Sequence, residues 1–379
     1  MTAGASGSSP RQACERCLRR GWLLARLSPL LDRCAPDRDR LFSLLELENE
    51  ELIDALAGSR RASTHSDYAA HDVSTCSCEH GLETTCRHGA EHPRPLLTAG
   101  APDLLYVAGS LARLRELTDA PMVALLGCER ASDYGLEMAG AIARELSACA
   151  VTVVSCARKG IGGAAQAGAL EAGSRCVALF GDALALAARG PERALLAQVA
   201  QSGCAVSELP DETSGRMWGR AACERLAVEL AQLVVLVEGE AVVGELVGAQ
   251  MALARGTPVG AVPGRANSAL SGAPHTLLRE GAGLICGAQD ALELLFPVGA
   301  GAPAPAPGIT LEPALLEVLE AVGAGRDSAE ELSRRLARPL PEILLALTRL
   351  ELMGLLARGR GGRYLRRLGP PVGAPATHP

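Results

Sequence analysis

Residues 122–163 read MVALLGCERASDYGLEMAGAIARELSACAVTVVSCARKGIGG and contain the pattern that decides the fold. An apolar run at Met122–Leu126 is followed by a helical pattern at 134–148 and by a second apolar run at Val151–Ser155. Short apolar strands that alternate with helices of this length predict parallel strands buried on both faces. The stretch therefore predicts one strand–helix–strand unit of an α/β domain.

The same alternation continues towards the C-terminus. Further strands are predicted at 175–180, 205–207, 233–237 and 259–262, with helices at 163–172, 191–202, 218–230 and 244–255. Together these segments predict a Rossmann-like core, in which helices cover both faces of a parallel sheet. Ligands of such sheets bind at the carboxyl ends of the strands, where the strand order reverses. We therefore expect the site in the turns after residues 127, 155 and 238.

The turns after the first two strands carry residues suited to phosphate. The first turn begins at Gly127 and is not a GxGxxG fingerprint, so a dinucleotide cofactor is not expected. The second turn runs from Ser155 through the adjacent cations Arg158 and Lys159 to Gly160. Two cations beside glycines that open a helix favour a phosphate site, with a solvated basic loop as the alternative. No GxxxxGK[ST] loop supports P-loop ATP hydrolysis.

The rest of the chain divides by composition. The predicted segments are an N-terminal helical domain at 11–58, a polar connector at 59–95, the core at 96–296, an Ala/Pro linker at 297–308, a winged-helix module at 309–368 and a disordered tail at 369–379. In the C-terminal module, three helical patterns precede a Gly/Arg-rich wing, as in a winged helix-turn-helix. Its residues 326–367 carry ten arginines against five acids, which suits contact with DNA or with a protein.

Composition narrows the classes of function. The chain is 48 % hydrophobic but only 2 % aromatic, which argues against a platform of aromatic side chains that stack bases. Its net charge of −6 means that any nucleic-acid site must be a local patch. No signal peptide or membrane span is recognised, so we expect a cytoplasmic protein whose thirteen cysteines stay reduced.

Two groups of cysteine and histidine residues invite a metal hypothesis. Cys14-x-x-Cys17 has zinc-like spacing, and a second group comprises Cys76, Cys78, His80, Cys86 and His88. No partner CxxC or HxxxH stands at the usual distance from the first pair, so the sequence favours free thiols and no metal. No Ser/His/Asp set or carboxylate pair converges on the strand ends, so we do not expect an enzyme.

An ordered series of short motifs resembles the DNA-processing protein A (DprA/Smf) family over residues 86–295. The motifs are His92-Pro93, Leu-Tyr-Val-Ala-Gly at 105–109, a Gly…Tyr-Gly turn at 127–135, Val-Val-Ser at 153–155, Gly-Ala-Leu-Glu-Ala-Gly at 168–173, Ser-Glu-Leu-Pro at 207–210, Val-Val-Leu-Val-Glu ending at Glu238, Ala-Val-Pro-Gly at 261–264 and Leu-Leu-Arg-Glu-Gly-Ala at 277–282. Each motif is weak alone, but their order and spacing carry the resemblance.

The resemblance implies phosphate contacts at the strand ends. The candidate DNA-binding residues are Gly127, Arg130, Ser155, Arg158, Lys159, Gly160, Arg220 and Arg225. Two acids, Glu129 and Glu224, replace residues that bind phosphate in the family. Paired with nearby arginines, these acids would weaken the patch. Trp218 could stack on a base, although a tryptophan near a helix start is more often packed in a core.

The family implies a mediator without enzymatic activity or cofactor. Such a protein coats incoming single-stranded DNA during natural transformation, forms a homodimer and helps to load the RecA recombinase. Two alternatives remain open. The chain could be a degenerate relative kept for protein interactions, or a nucleotide-binding enzyme or sensor in which Glu238 acts on a ribose.

Overall fold

The computed structural model describes residues 13–72, 82–98, 100–210, 213–296, 309–323, 328–353, 355–358, 363–366 and 372–373. The chain forms two compact units, residues 1–302 and residues 303–379. Within the described residues, no helix combines the length and apolar character needed to cross a membrane.

The first unit is built on a sheet of nine strands in the part of the chain that the structure describes. Their order is β1-β2-β6-β5-β4-β3-β7-β8-β9. The bounds are β1 Glu83–Cys86, β2 Leu104–Ala108, β3 Met122–Leu126, β4 Thr152–Cys156, β5 Cys176–Leu179, β6 Cys204–Ser207, β7 Leu233–Leu236, β8 Val259–Ala261 and β9 Gly283–Leu284. The seven strands β3 to β9 run parallel to one another. At one edge of the sheet, β2 pairs antiparallel with β6, and β1 pairs antiparallel with β2.

Helices precede the sheet and connect its strands. Their bounds are α1 Glu15–Cys34, α2 Arg38–Glu46, α3 Asn49–Leu56, α4 Arg61–Ala70, α5 Leu111–Thr118, α6 Asp133–Ala148, α7 Ile161–Glu171, α8 Leu184–Ala187, α9 Arg193–Ser202, α10 Arg216–Leu230, α11 Val243–Ala254, α12 Gly272–Arg279 and α13 Ala288–Leu295. The predicted fold class is confirmed, and the six predicted strands and five predicted core helices lie within a few residues of their expected positions. The central strands β3, β5 and β7 are buried throughout, which explains their continuous apolar runs.

The predicted polar connector contains regular structure. Helix α4 and strand β1 both fall within 59–95, and Thr84 and Thr85 of β1 are buried. The short polar sequence of β1 gives no apolar alternation, so its strand conformation depends on pairing with β2. Residues 73–81, including Cys76, Cys78 and His80, lie outside the described residues.

The N-terminal helices, predicted as a domain of their own, share a hydrophobic cluster with the sheet unit. Leucines of α1, α2 and α3 pack with Trp218, Ala221 and Ala222 of α10. The Trp218 indole N–H donates to Ser28 Oγ at 2.7 Å. Asp32 Oδ1 accepts from the backbone N–H groups of Met217 and Trp218, both at 3.1 Å, so α1 caps the first turn of α10.

The second unit contains the predicted three helices and wing. Its bounds are β10 Ile309–Thr310, α14 Pro313–Gly323, α15 Ala329–Leu336, α16 Leu340–Leu352, β11 Leu356–Arg358, β12 Tyr364–Arg366 and β13 Val372–Gly373. Strands β11 and β12 pair antiparallel as the wing, and the helices share an apolar core with them. Residues of β13 come from the segment predicted as a disordered tail and pair with β10. The linker predicted at 297–308 lies outside the described residues.

Replacing Trp218 with alanine is expected to lower the free energy of unfolding by about 3–5 kcal/mol, because the side chain is 0 % exposed at the centre of its cluster. Urea denaturation followed by circular dichroism measures this change. Met217→Ala is the control, since its side chain in the same turn is 56 % exposed and should cost no more than about 0.5 kcal/mol. Equal effects of the two substitutions would refute the packing role.

Candidate functional site

The candidate site lies at the carboxyl ends of β4, β3 and β7, which are neighbours in the sheet. Strand order reverses between β3 and β7, and ligands of open α/β sheets bind at such a point. A cleft opens there. Its lining residues are Leu125, Leu126, Gly127, Glu129, Cys156, Arg158, Lys159, Gly162, Arg220, Glu224, Leu236 and Gly248. The structure therefore brings Gly127, Arg158, Lys159 and Arg220 together, as the sequence predicted.

Backbone contacts hold the turns against one another. The Cys128 N–H donates to Glu238 O at 2.9 Å, and the Ile161 N–H donates to Cys128 O at 3.2 Å. Gly160 has a φ of +83°, and a Cβ there would collide with the carbonyl oxygen of Cys128. A Cβ on Gly127 would lie 2.6 Å from Ile161 Cγ1. The glycines, named by the sequence as candidate DNA-binding residues, thus allow the turns to approach each other.

Glu129 and Glu224 pair with the arginines of the cleft. Glu129 Oε1 lies 2.6 Å from Arg158 Nε and 3.3 Å from Arg220 NH1. Glu224 Oε1 lies 3.3 Å from Arg220 Nε. On its other side, Glu224 Oε2 lies 3.5 Å from NH2 of Arg38 in α2. Glu129 therefore offsets the charge of Arg158 and Arg220, and Glu224 offsets the charge of Arg220.

Two of the predicted cations are exposed: Lys159, which lines the cleft, and Arg130, which is not among the lining residues. Lys159 and Arg130 form no ion pair within the described part of the chain, and both side chains reach solvent. Lys159 immediately precedes Gly160 and α7, whose first N–H groups lack partners within the helix. The positive end of a helix beside an unpaired ammonium attracts anions. An anion such as a phosphate group is the ligand that this arrangement favours.

Arg225, predicted to bind phosphate, is buried and faces a different partner. Its NH2 donates to Glu208 Oε2 at 2.7 Å, and both side chains are only 5 % exposed. Its NH1 donates to Gly100 O at 3.0 Å. Burial raises the pKa of the Glu208 carboxyl, and the Arg225 charge opposes that rise. Because the guanidinium is enclosed, Arg225 supports the fold and does not line the cleft.

Ser155 also acts inside the fold. Its side chain is fully buried, and its hydroxyl donates to Gly162 O at 3.2 Å across the second turn. The Gln166 side-chain amide donates to Ser155 O at 3.1 Å. These hydrogen bonds position the turn that carries Lys159. Ser155 is therefore a positioning residue and not a phosphate contact.

Glu238, the residue on which the enzyme alternative depends, has a structural partner. Its Oε2 accepts from the Ser132 N–H at 2.8 Å, and its Oε1 accepts from the Ser132 hydroxyl at 2.6 Å. Ser132 is the N-cap of α6, and Glu238 is buried. With both oxygens engaged at this helix terminus, the carboxylate ties the turn after β7 to α6, and Glu238 also lines a second pocket beside Ser132 and Tyr134.

Arg38 is the site residue that sequence reasoning missed. It lies in the N-terminal helices and reaches Glu224 only because those helices pack on α10. No local motif or spacing could relate residues that lie so far apart in the chain. The signal exists only in the tertiary structure.

Arg225→Ala is expected to lower the free energy of unfolding by about 3–5 kcal/mol, because it leaves a buried carboxylate unpaired at Glu208. The double variant Arg225→Met/Glu208→Leu removes both charges and should recover most of the loss. Urea titrations of wild type and both variants measure the difference. A double variant no more stable than Arg225→Ala would contradict the pair as the cause.

Comparisons with known proteins agree with this architecture. Residues 83–296 match the family model described as DNA recombination-mediator protein A, and residues 302–362 match the DprA winged helix domain. A putative DNA processing protein DprA of Mycobacterium tuberculosis is 33 % identical over 270 residues, which span 70 % of this chain and 68 % of the relative. Protein Smf of Escherichia coli is 29 % identical over 282 residues, spanning 72 % and 74 % of the two chains.

A solved structure shares the fold. DNA processing protein A of Streptococcus pneumoniae superposes with a TM-score of 0.58 at 24 % identity, covering 73 % of this chain and 95 % of that one. The family match covers more than half of the sequence and includes both the sheet and the switch-point turns. The chain therefore belongs to the DNA recombination-mediator protein A (DprA/Smf) family of DNA-processing proteins.

Proposed function

We propose that this chain binds the phosphate backbone of single-stranded DNA at the switch-point cleft, without catalysing a reaction. The observation that carries the proposal is the exposed, unpaired Lys159 directly before α7, with unpaired Arg130 on the neighbouring turn. Phosphate groups are strong acceptors for such charges, and the positive end of a helix also favours an anion. Membership of a DNA-processing family supports phosphodiester as the ligand.

The form of the cleft supports a flexible strand. Arg158, Lys159 and Arg220 line a recess between turns of the sheet edge, and a single strand can bend into a recess more easily than a stiff duplex. The lining includes small and aliphatic residues beside these charges but contains no aromatic ring. This lining favours contact with the phosphates of the DNA and little stacking on its bases. The affinity for DNA should therefore fall steeply as the salt concentration rises.

The wider role rests on the family. We propose that the DNA-bound protein is a recombination mediator, as the family description states, and that it helps to load the RecA recombinase onto incoming DNA in natural transformation. A homodimer and a cytoplasmic location belong to the same proposal. The basic second unit offers a further surface for DNA or protein.

A degenerate interaction protein is the second candidate. It is favoured by the ion pairs that Glu129 forms with Arg158 and Arg220, because these pairs hold two of the three cations that line the cleft. In this alternative the fold is kept, but the positive charge of Lys159 and Arg130 is too small to bind DNA. A titration with labelled poly-dT at low salt separates the two candidates, because only the mediator binds measurably.

The variant Lys159→Ala/Arg130→Ala is expected to weaken poly-dT binding by about tenfold or more, or about 1.4 kcal/mol. The slope of the logarithm of the binding constant against the logarithm of the salt concentration should become shallower by about 0.7 for each phosphate contact removed. Fluorescence anisotropy across a series of salt concentrations measures both effects.

Arg279→Ala is the matched control for this pair. Arg279 is exposed and ends α12 just before β9, so it lies at the amino edge of the parallel sheet, opposite the cleft. Its removal should leave affinity and salt dependence close to wild type. An equal loss in the control would show that overall charge, and not the cleft, controls binding.

Glu129→Gln is expected to tighten poly-dT binding by about tenfold, because it releases Arg158 and Arg220 from a shared carboxylate. The salt dependence should steepen as the freed cations reach phosphates. Glu280→Gln at the opposite sheet edge changes the formal charge equally and should have little effect. Unchanged or weaker binding by Glu129→Gln would mean that the acid does not restrain the cleft.

A further inference from the structure

Three cysteines and one histidine converge where the N-terminal helices meet the edge of the sheet. Cys14 caps the start of α1 and Cys17 lies in its first turn, whereas Cys86 ends β1 and His88 follows in the next turn. His88 Nδ1 lies 3.3 Å from Cys14 Sγ and 3.4 Å from Cys17 Sγ. The four potential ligand atoms all lie within 4.8 Å of one another.

These distances match the edges of a tetrahedral zinc site. Zinc–sulfur bonds of about 2.3 Å and zinc–nitrogen bonds of about 2.0–2.1 Å place two sulfurs about 3.8 Å apart and sulfur and nitrogen about 3.5 Å apart. The two sulfur–nitrogen distances at His88 are within a few tenths of that value. An iron–sulfur cluster would need its ligands spread more widely around the cluster. Three thiols and one imidazole also complete the coordination typical of closed structural zinc sites.

The sequence favoured free thiols because it shows no second pair of metal ligands near Cys14 and Cys17. Cys14-x-x-Cys17 has no second CxxC or HxxxH at the usual distance. The structure supplies Cys86-x-His88 from the antiparallel edge strand β1, within a segment that the sequence predicted as a polar connector. The long separation between the two pairs concealed their relation.

The surrounding backbone supports anionic sulfur. The Cys14 N–H donates to Cys86 Sγ at 3.4 Å, and such N–H groups stabilise metal-bound thiolates. Cys14 lies at the positive end of the twenty-residue helix α1, which also favours thiolate. A second hydrogen bond, from the Ala13 N–H to Thr84 Oγ1 at 3.1 Å, fastens the same chain segment to β1. The ligands are therefore held together by their backbones.

We propose that Cys14, Cys17, Cys86 and His88 bind one Zn²⁺ ion in a closed structural site that fastens the start of α1 to the end of β1. The metal requires neutral His88 and deprotonated thiols, so binding releases protons. With four protein ligands, no coordination position remains for a substrate. The site therefore stabilises the attachment of the N-terminal helices and has no part in the DNA cleft.

The full-length chain, purified without chelators, tests the proposal by elemental analysis. We expect about one zinc per chain in wild type and in Cys286→Ser, which removes an exposed thiol outside the cluster. Cys17→Ser/Cys86→Ser should contain almost no zinc. His88→Cys keeps four ligands and should retain the ion, so it guards against loss of metal through misfolding alone.

Spectroscopy of the cobalt-substituted protein adds a second readout. Wild type should show the strong d–d bands of tetrahedral cobalt and sulfur-to-metal charge transfer, and both should change in His88→Cys as a thiolate replaces the imidazole. A folded wild type that contains no zinc and takes up none would overturn the proposal. So would a Cys14–Cys17 disulfide, stoichiometric iron, or zinc lost from Cys76→Ser/Cys78→Ser but retained in Cys17→Ser/Cys86→Ser.

Discussion

The close packing of the turns at the carboxyl edge of the sheet is the constraint on which the site depends. The carbonyl of Glu238 receives the Cys128 N–H, and the carbonyl of Cys128 receives the Ile161 N–H, so three strand ends are joined in series. Glycines at 127 and 160 are required because side chains there would force the turns apart. Once the turns are joined in this way, Glu129 after β3 and the cations Arg158 and Lys159 after β4 are held in a single cleft.

Charge within this cleft is balanced by residues of two turns and two helices. Glu129 of the first turn holds Arg158 of the second, while α10 supplies Arg220 and Glu224, and α2 supplies Arg38. A protein with a net charge of −6 thus keeps a small positive surface without a large positive field. Glu129 and Glu224 are part of an ion-pair network, which sets how much positive charge the cleft presents to solvent.

The sequence predicted those features of the fold and of the site that depend on local periodicity and on family motifs. The parallel strands, their helices, the winged helix and the position of the cleft follow from apolar patterns and turn glycines. It did not predict β1, whose polar sequence forms a strand only through pairing, or the enclosure of Arg225 against Glu208. Arginines near a motif look alike in sequence. Only packing decides which one faces solvent and which one neutralises a buried acid.

The link between α1 and α10 has a consequence for the synthesis of the chain. Ser28 and Trp218 are 190 residues apart, so α1 leaves the ribosome long before the helix that covers its leucines. At typical translation rates this interval is roughly 10–40 s, during which the leucines of α1 are not yet covered by α10. The Cys14 and Cys86 segments are only 72 residues apart and can meet much earlier. Contact between the start of α1 and β1 would then hold the N-terminal helices beside β1 until the other strands of the sheet have been synthesised.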